Sequence, residues 1–257
     1  MQFCIVVSRQ DTAGMNIASF LGGRLPANSS FHFIDGNQCF ADSVDEIRAD
    51  FFVFASKHRA ASGRPSLTCH AIGNWGKAEA GGREKTLVKT SSFLLRNYLL
   101  ELNRLKIEKN LPFDVTMECT HHGPFLRKPV VFIEVGSSEP QWNDKLACAA
   151  AAEAISKATS LKCAGDITPV IGVGGTHYCS EFSKLVLRKN FAFSHVCPEH
   201  MLQFLDDALL QQAISCSLES PRMIVVDWKG LGKEKARVMD LLSRQGLPVE
   251  RVQRLLK

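Results

Sequence analysis

The sequence predicts an α/β fold in which a mainly parallel or mixed central sheet is flanked by helices. Short apolar runs rich in Val, Ile and Phe alternate along the chain with amphipathic or alanine-rich segments, and this order favours a layered α/β architecture. The apolar runs are nearly continuous, as buried parallel strands tend to be. No internal repeat, low-complexity tract or Pro/Ser-rich linker divides the chain, so we expect a single domain over residues 1–257.

Each element follows from one of these two patterns. Strands are predicted at 3–8, 51–56, 129–136, 168–175 and 222–227, with shorter strand-like runs at 65–69 and 113–118. Helices are predicted at 12–25, 91–110, 141–158, 179–189, 199–214 and 233–246. The glycine-containing stretch 71–85 is the long irregular segment, expected to be a mobile substrate loop or an exposed excursion. In such a fold, an active site is expected on loops at the carboxyl ends of the strands.

Composition sets the class of protein. A chain of 257 residues that is 45% hydrophobic can bury a sizeable core. No apolar run approaches the roughly 20 residues of a membrane span, and residues 1–11 do not resemble a signal peptide, so a cytoplasmic location is expected. The nine cysteines include no C-x-x-C pair; they indicate reduced thiols, and neither a disulfide framework nor a zinc ribbon.

The positive charge is concentrated in two segments. Residues 83–109 carry seven Lys and Arg against three acids, and residues 226–257 carry eight against four, while the whole chain nets +5. Such segments suit a polyanion such as RNA. On charge alone, the ordinary interpretation as solvated helix faces is favoured.

Five of the eight histidines follow strand-like runs. They are His58, His70, His121, His122 and His177. On extended backbone, adjacent side chains point to opposite faces, so one member of the His121–His122 pair is expected to line a site while the other braces it. A lone histidine near a strand end is more often a hydrogen-bonded structural residue, but five such positions together favour a site.

A carboxylate joins these imidazoles. Glu134 lies between Ile133 and Val135 in an apolar run, where its charge requires a partner or a metal. Imidazole and carboxylate are ligands that zinc prefers, and an open coordination position would activate a water. No HExxH or HxxEH motif is present, so spacing alone is weak support for a metal.

The segment 172–176, GVGGT, is a strand followed by a glycine-rich turn. Its backbone N–H groups could approach a phosphate or an oxyanion. Gly174 and Gly175 could equally be required by a tight turn with positive φ. The segment lacks the endings of a Walker A loop and of a dinucleotide fingerprint, which argues against ATP or NAD.

Several long blocks, taken together, resemble one known family. The blocks are 5–21, 56–74, 118–142, 172–182, 227–242 and 247–252. In this order they resemble the D-aminoacyl-tRNA deacylases of the archaeal and plant type, and the resemblance runs through nearly the whole chain. It implies a zinc-dependent hydrolase that cleaves the ester between a D-amino acid and the 3′ end of tRNA. It also implies a fold similar to those of peptidyl-tRNA hydrolase and nucleoside phosphorylase.

The resemblance and the residue patterns together name the candidate site. The catalytic candidates are His121, His122, Glu134 and His177, and the candidate Zn²⁺ ligands are His70, His121, Glu134 and His177. The candidates for tRNA or substrate binding are Lys57, His58, Arg59, Gly174, Gly175, Thr176, Lys229, Lys233 and Arg237.

The expected partner is tRNA, through its acceptor end, and the protein is expected to be a monomer. Three alternatives remain open: a peptidyl-tRNA hydrolase-like enzyme, a nucleoside phosphorylase-like enzyme that uses the glycine turn for phosphate, and a non-catalytic RNA-binding protein.

Overall fold

Two β-sheets organise the molecule, whose computed structural model describes residues 1–161 and 165–257. The strands of the described residues are β1 (Phe3–Ser8), β2 (Ser29–Ile34), β3 (Phe51–Arg59), β4 (Ser66–His70), β5 (Gly73–Asn74), β6 (Thr86–Leu87), β7 (Asp114–Met117), β8 (Val130–Ser137), β9 (Thr168–Val173), β10 (Phe191–Cys197), β11 (Met223–Val226) and β12 (Val249–Arg251). The α-helices are α1 (Thr12–Leu21), α2 (Ser92–Glu108), α3 (Glu139–Trp142), α4 (Lys145–Ser160), α5 (Ser180–Arg188), α6 (Asp207–Ser215), α7 (Lys235–Ser243) and α8 (Val252–Leu255).

The two sheets differ in strand direction. The first has the order β2-β1-β3-β8-β4-β7 and is parallel except where β4 pairs antiparallel with β8. The second has the order β10-β9-β11-β12 and is parallel throughout. Helices pack on these sheets, so the predicted α/β class with a mainly parallel, mixed sheet is confirmed.

Helices begin where a short polar side chain can accept a backbone N–H. Asp11, Ser91, Asp144 and Asp206 cap α1, α2, α4 and α6 in this way, at 2.8, 3.1, 2.9 and 2.9 Å. Each cap satisfies one of the N–H groups that a helix start leaves without a partner. The sequence positions of the helices therefore follow from local chemistry as well as from periodicity.

The largest hydrophobic cluster lies between the first sheet and the helices α1, α2 and α4. It includes Val170 and Phe193 of the second sheet, so apolar packing continues from one sheet to the other. The assignment of residues 1–257 to one domain stays a prediction.

Some elements differ from the prediction. The segment 199–214 is not one helix: a 3-10 helix spans Glu199–Phe204, and α6 begins only after Asp206 caps a new start. The sequence patterns also missed β2 and β10. Their residues, SSFHFI and FAFSHVC, interrupt the apolar run with Ser and His, and only the pairing of these strands with β1 and β9 places them in sheets.

Two composition-based expectations can be compared with the described residues. None of the helices they form is both long and apolar enough to cross a membrane. Eight cysteines are free thiols, as the absence of C-x-x-C pairs indicated. Cys163 lies outside the described residues.

Candidate active site

The centre of the site is a polar patch on one face of the first sheet. Glu134 lies within β8, opposite Ser56 of β3 and Thr68 of β4. Alternate residues of a strand share a face, so His58 and His70 project from the same face as Glu134. His58 is 5% exposed, His70 0% and Glu134 4%, so the patch is almost completely buried.

Because β4 is antiparallel to β8, the site residues do not all lie at the same edge of the sheet. His58 lies near the carboxyl end of β3, next to Gly136 of β8, whereas His70 ends β4 and lies next to Phe132. The expectation that all these residues meet on loops at one edge is therefore wrong for β4. They meet over the face of the sheet, because β4 runs against β8.

A second carboxylate, which the candidate list missed, holds the cluster together. Glu118 directly follows β7, and its side chain is completely buried. One oxygen, Oε1, lies 3.0 Å from His58 Nδ1, and the other, Oε2, lies 2.8 Å from His177 Nε2 and 3.6 Å from His121 Nε2. The signal for Glu118 was the one used for Glu134, an acidic residue adjoining an apolar strand.

Both adjacent histidines face the same cavity. The ring centroids of His121 and His122 are 4.4 Å apart, and they lie 4.3 and 5.0 Å from that of His70. The expectation of opposite faces is wrong because His122 has φ 45°, in the left-handed region where the alternation of an extended strand is lost.

The glycine-rich stretch 71–85 supports this turn. Gly123 leaves no room for a side chain, since a Cβ there would be 2.2 Å from the backbone nitrogen of Gly82. The Gly123 N–H donates to the Ala80 carbonyl at 3.0 Å, and the Asn74 amide donates to the Gly81 carbonyl at 2.9 Å. Residues 71–76 are buried, whereas most of 77–85 is partly or fully exposed, so only the second half is an exposed excursion.

Backbone carbonyls fix the orientation of three imidazoles. Nδ1 of His70, His121 and His122 lies 3.0, 2.8 and 2.6 Å from the carbonyls of Ala71, Cys119 and Gly123. A carbonyl only accepts, so each Nδ1 carries the proton and donates. Nε2 is then the nitrogen left for a ligand, an arrangement found in metal-binding histidines.

The carboxylates and imidazoles shift one another's pKa. Burial opposes the charge of His58, but hydrogen bonds with Glu118 and Glu134 outweigh it and raise the pKa of His58 to about 11. Burial likewise opposes ionisation of Glu118, yet its hydrogen bonds with His177 and His58 hold its pKa well below the usual range. Burial, with nearby His70, lowers the pKa of His122 to about 4. The cluster therefore contains two ionised carboxylates, a protonated His58 between them and a neutral His122.

Two cavities reach the cluster. The larger, about 440 Å³, is lined by His58, His121, His122, Glu134 and His177 together with residues that follow β1 and β2 and residues at the end of β3. The smaller, about 160 Å³, shares His121 and His177 and includes Trp75, Pro198 and Met201. The side chain of His177 is 38% exposed, against 29% for that of His121.

Comparison with known proteins gives the family. The family model for D-aminoacyl-tRNA deacylase matches residues 45–250. A D-aminoacyl-tRNA deacylase of Cenarchaeum symbiosum (strain A) is 37% identical over 95% of this chain and 98% of its own length. That of Pyrococcus furiosus is 32% identical over 95% of this chain and 97% of its own.

The chain belongs to the D-aminoacyl-tRNA deacylase family. The resemblance seen in the sequence is thus confirmed. A crystal structure of a conserved protein of unknown function has the same fold, with a TM-score of 0.91, 29% identity and coverage of 99% of this chain and 96% of that one.

The proposed ligands of this deacylase-family chain fall into overlapping groups. Within each group the candidate ligand atoms lie within 4.8 Å of one another. The groups are His70–His121–His122, Cys119–His121–His177, His58–Glu118–His177 and His70–Glu118–Glu134. The four predicted ligands are thus brought into one neighbourhood, to which the structure adds Glu118 and Cys119.

Three residues predicted to bind tRNA lie at or beside the cluster of histidines and carboxylates. His58 is in the cluster, and Lys57 and Arg59 line the larger cavity. The charged ends of Lys57 and Arg59 lie 5.4 and 5.3 Å from the Trp142 ring. Their charges therefore lie beside Trp142, and both residues border the larger cavity.

The glycine turn has a structural role in this fold. Gly174 and Gly175 have φ of 90° and 84°, and both pack against the turn that contains Asp227 and Gly230. The Gly174 N–H already donates to the Cys197 carbonyl at 2.8 Å. Thr176 is exposed and leads to His177. Substrate contact by these three residues stays a prediction.

The basic segments are partly neutralised. In 83–109, Lys85 pairs with Asp206 at 3.1 Å and Arg104 with Glu153 at 3.1 Å. Arg237 pairs with Glu234 at 2.8 Å and donates to the carbonyls of Leu202 and Leu205, so it stabilises the fold locally.

Lys229 and Lys233 of the C-terminal segment differ from Arg237. Lys229 and Lys233 are exposed, and within residues 1–161 and 165–257 neither has an acidic partner within 4.0 Å. They are the best placed of its predicted phosphate contacts.

Proposed function

We propose that this protein hydrolyses the ester that links a D-amino acid to the 3′ end of tRNA, which is the reaction named for its relatives. The observation that carries the proposal is the buried cluster of two carboxylates and five imidazoles that opens into a cavity of about 440 Å³. An ester is already activated, so hydrolysis requires a positioned water, a proton acceptor and stabilisation of the developing negative charge.

We further propose that the cluster holds zinc. The donor set fits: three imidazoles present Nε2, and His70 Nε2, with an atom exposure near zero, has no hydrogen-bond partner among the described residues. Imidazole, carboxylate and thiolate are the ligand types of zinc sites. The residues that would hold it are His70, His121 and His122, with His177, Glu118 and Glu134 adjoining. A bound zinc would supply a Lewis acid and a water of lowered pKa.

The chain's own residues orient the substrate and move protons. Glu118 holds the His177 ring at 2.8 Å, and this ring borders both cavities. We place His177 against the ester, where it can give a proton to the departing ribose oxygen. Tyr178 donates to His58 Nε2 at 2.9 Å, or accepts from it, and holds His58 between the two carboxylates.

The remaining cations fit a nucleic acid. Lys57 and Arg59 suit the last phosphates of the tRNA, and Lys229 and Lys233 suit phosphates further along the acceptor arm. We also propose that the protein acts as a monomer in the cytoplasm, where aminoacyl-tRNA is used.

The decisive experiment compares matched D- and L-tyrosyl-tRNA with the purified protein. We expect release of D-tyrosine with the L-isomer largely spared, loss of activity after treatment with a chelator, and recovery when zinc is added back. Equal hydrolysis of both isomers, or of neither, would reject the activity. Unchanged turnover in chelator, with no metal found by elemental analysis, would reject zinc alone.

A further inference from the structure

The wall of the larger cavity that faces the cluster is formed by the segments after β1 and β2. Asp11 follows β1, and Gln38 begins a 3-10 helix after β2. Both residues line the cavity that contains His121, His122 and Glu134. Asp11 is 5% exposed and Gln38 is 4% exposed, so these polar groups are buried at the cavity wall.

Gln38 has one half of its amide unused. Its Nε2 donates to the Ala55 carbonyl at 2.9 Å. That carbonyl fixes the orientation of the amide, because a flipped group would set two acceptors against each other. Its Oε1 is buried and has no hydrogen-bond partner among the described residues. A buried acceptor without a donor is costly, so this oxygen is suited to a donor on a bound molecule.

Asp11 adds a negative charge to the same wall. Its carboxylate caps α1 by accepting the Gly14 N–H at 2.8 Å, and it accepts the Lys57 N–H at 3.0 Å and, more weakly, the Ser56 hydroxyl at 3.4 Å. These three bonds leave acceptor capacity on the carboxylate, whose two oxygens offer about four acceptor sites. Burial raises the pKa of Asp11 despite those bonds, so a cation beside it would relieve an unfavourable charge.

The acidic and the basic residues that line this cavity lie in different parts of it. The Cys39 thiol also lines it, and burial together with the charges of Glu134 and Asp11 raises the pKa of Cys39 to about 12. Glu134 and Asp11 therefore both lie close enough to Cys39 to affect its pKa. The charged ends of Lys57 and Arg59 lie beside Trp142 instead. The cation of an aminoacyl ester is its α-ammonium group, whose usual pKa is about 7.7 to 8.0.

We propose that Asp11 and Gln38 form the subsite for the α-ammonium group of the substrate, an inference that rests on the proposed deacylase function. Gln38 Oε1 accepts one N–H of the ammonium, and Asp11 supplies the opposite charge. With the ester carbonyl at the imidazole cluster, two substituents of the α-carbon are then held in place. The side chains of D- and L-isomers must point in different directions from that carbon, so this subsite is a condition for chiral selection.

The substrate itself provides the first test, with the protein as purified. We would compare D-phenylalanyl-tRNA with its N-acetyl derivative and with D-phenyllactyl-tRNA, in which a hydroxyl replaces the ammonium. We expect kcat/KM to be about 10- to 100-fold lower for both analogues, the range for losing a hydrogen bond to a charged group. Equal kcat/KM for all three would overturn the subsite while leaving the deacylase function standing. Failure to hydrolyse any D-aminoacyl-tRNA would overturn both.

Variants assign the residues. Gln38→Met removes the acceptor, and Asp11→Asn removes the charge. In each variant that still melts cooperatively, the ratio of kcat/KM for D-phenylalanyl-tRNA to that for D-phenyllactyl-tRNA should fall about tenfold or more. A ratio equal to wild type in both would overturn the assignment. Gln211→Met is the matched control, because that glutamine is exposed on α6 and its amide donates to Gln245 at 2.8 Å.

Discussion

Each sheet contains a buried histidine, and the pKa values of the two are shifted in opposite directions. In the first sheet, His58 is 5% exposed and its Nδ1 lies 3.0 Å from Glu118 and 3.3 Å from Glu134. In the second sheet, His195 of β10 is 0% exposed, and its Nδ1 lies 3.3 Å from the Thr120 hydroxyl. The pKa of His58 is raised to about 11 despite burial, whereas burial lowers that of His195 to about 4.

The difference shows what separates a buried histidine that is charged from one that is neutral. Both rings are buried, so burial does not distinguish them. The carboxylates do, because they stabilise positive charge, whether a proton or a metal, in a place where solvent cannot. We therefore propose that the chemistry takes place at the first sheet. The second sheet supplies packing and, through the loop after β9, His177.

The largest expected effect comes from removing cluster imidazoles. His121→Ala, His122→Ala or His177→Ala should lower turnover by about a hundredfold or more, with the fold and tRNA affinity retained. Bound metal, measured by elemental analysis, should fall in at least one of these variants. If all three variants keep wild-type turnover, or lose it only in proportion to unfolding, these histidines are structural like His195, and the assignment of the site is wrong.

Removing a carboxylate tests the cause of that contrast. Glu118→Gln keeps the size of the side chain but loses the charge that holds His58 and His177. We expect turnover to fall about 10- to 100-fold, as for residues that orient metal ligands, together with lower metal content. Wild-type turnover and metal content in this variant would show that the imidazoles act without their acidic partner.

The same substitution in the second sheet should act on stability. His195→Ala leaves a cavity in a fully buried site, and we expect the free energy of unfolding to fall by about 2–4 kcal/mol. Turnover per folded molecule should remain at the wild-type value, as measured by active-site-normalised kinetics beside thermal melting. A loss of turnover like that of His121→Ala, without a loss of stability, would contradict the division between the sheets.

The smallest effect concerns the surface of the second sheet. Lys229→Gln and Lys233→Gln should each reduce the salt dependence of tRNA binding, by a slope of about 0.7 to 0.9 per lost phosphate contact. Lys157→Gln is the control, because Lys157 pairs with Glu153 at 3.1 Å. Titrations at several salt concentrations measure the slope, and slopes equal to that of the control would return both lysines to ordinary solvated surface.

Much of the site's membership could be read from the sequence, but less of its geometry. His58 and His70 were found because they follow strand-like runs, and Glu134 because a charge within an apolar run requires a partner. Glu118 gave the same signal and was passed over, since nothing local shows that its two oxygens reach His58 and His177. Nothing in the sequence around Gln38 indicated a role. Its amide is held by the Ala55 carbonyl, and its Oε1 is left without a partner only in the folded protein.

The sequence by itself determined the α/β class, the positions of the strands at 3–8, 51–56 and 129–136, and the family, because hydrophobic periodicity and long local motifs are properties of consecutive residues. Only the tertiary structure decided that β4 runs against β8 and that His122 turns left-handed, so that both adjacent imidazoles face one cavity. Strand direction and a positive φ are set by packing between segments far apart in the chain. The pairing of β8 with β3 and β4, and the contact of Gly123 with Gly82, exist only after folding.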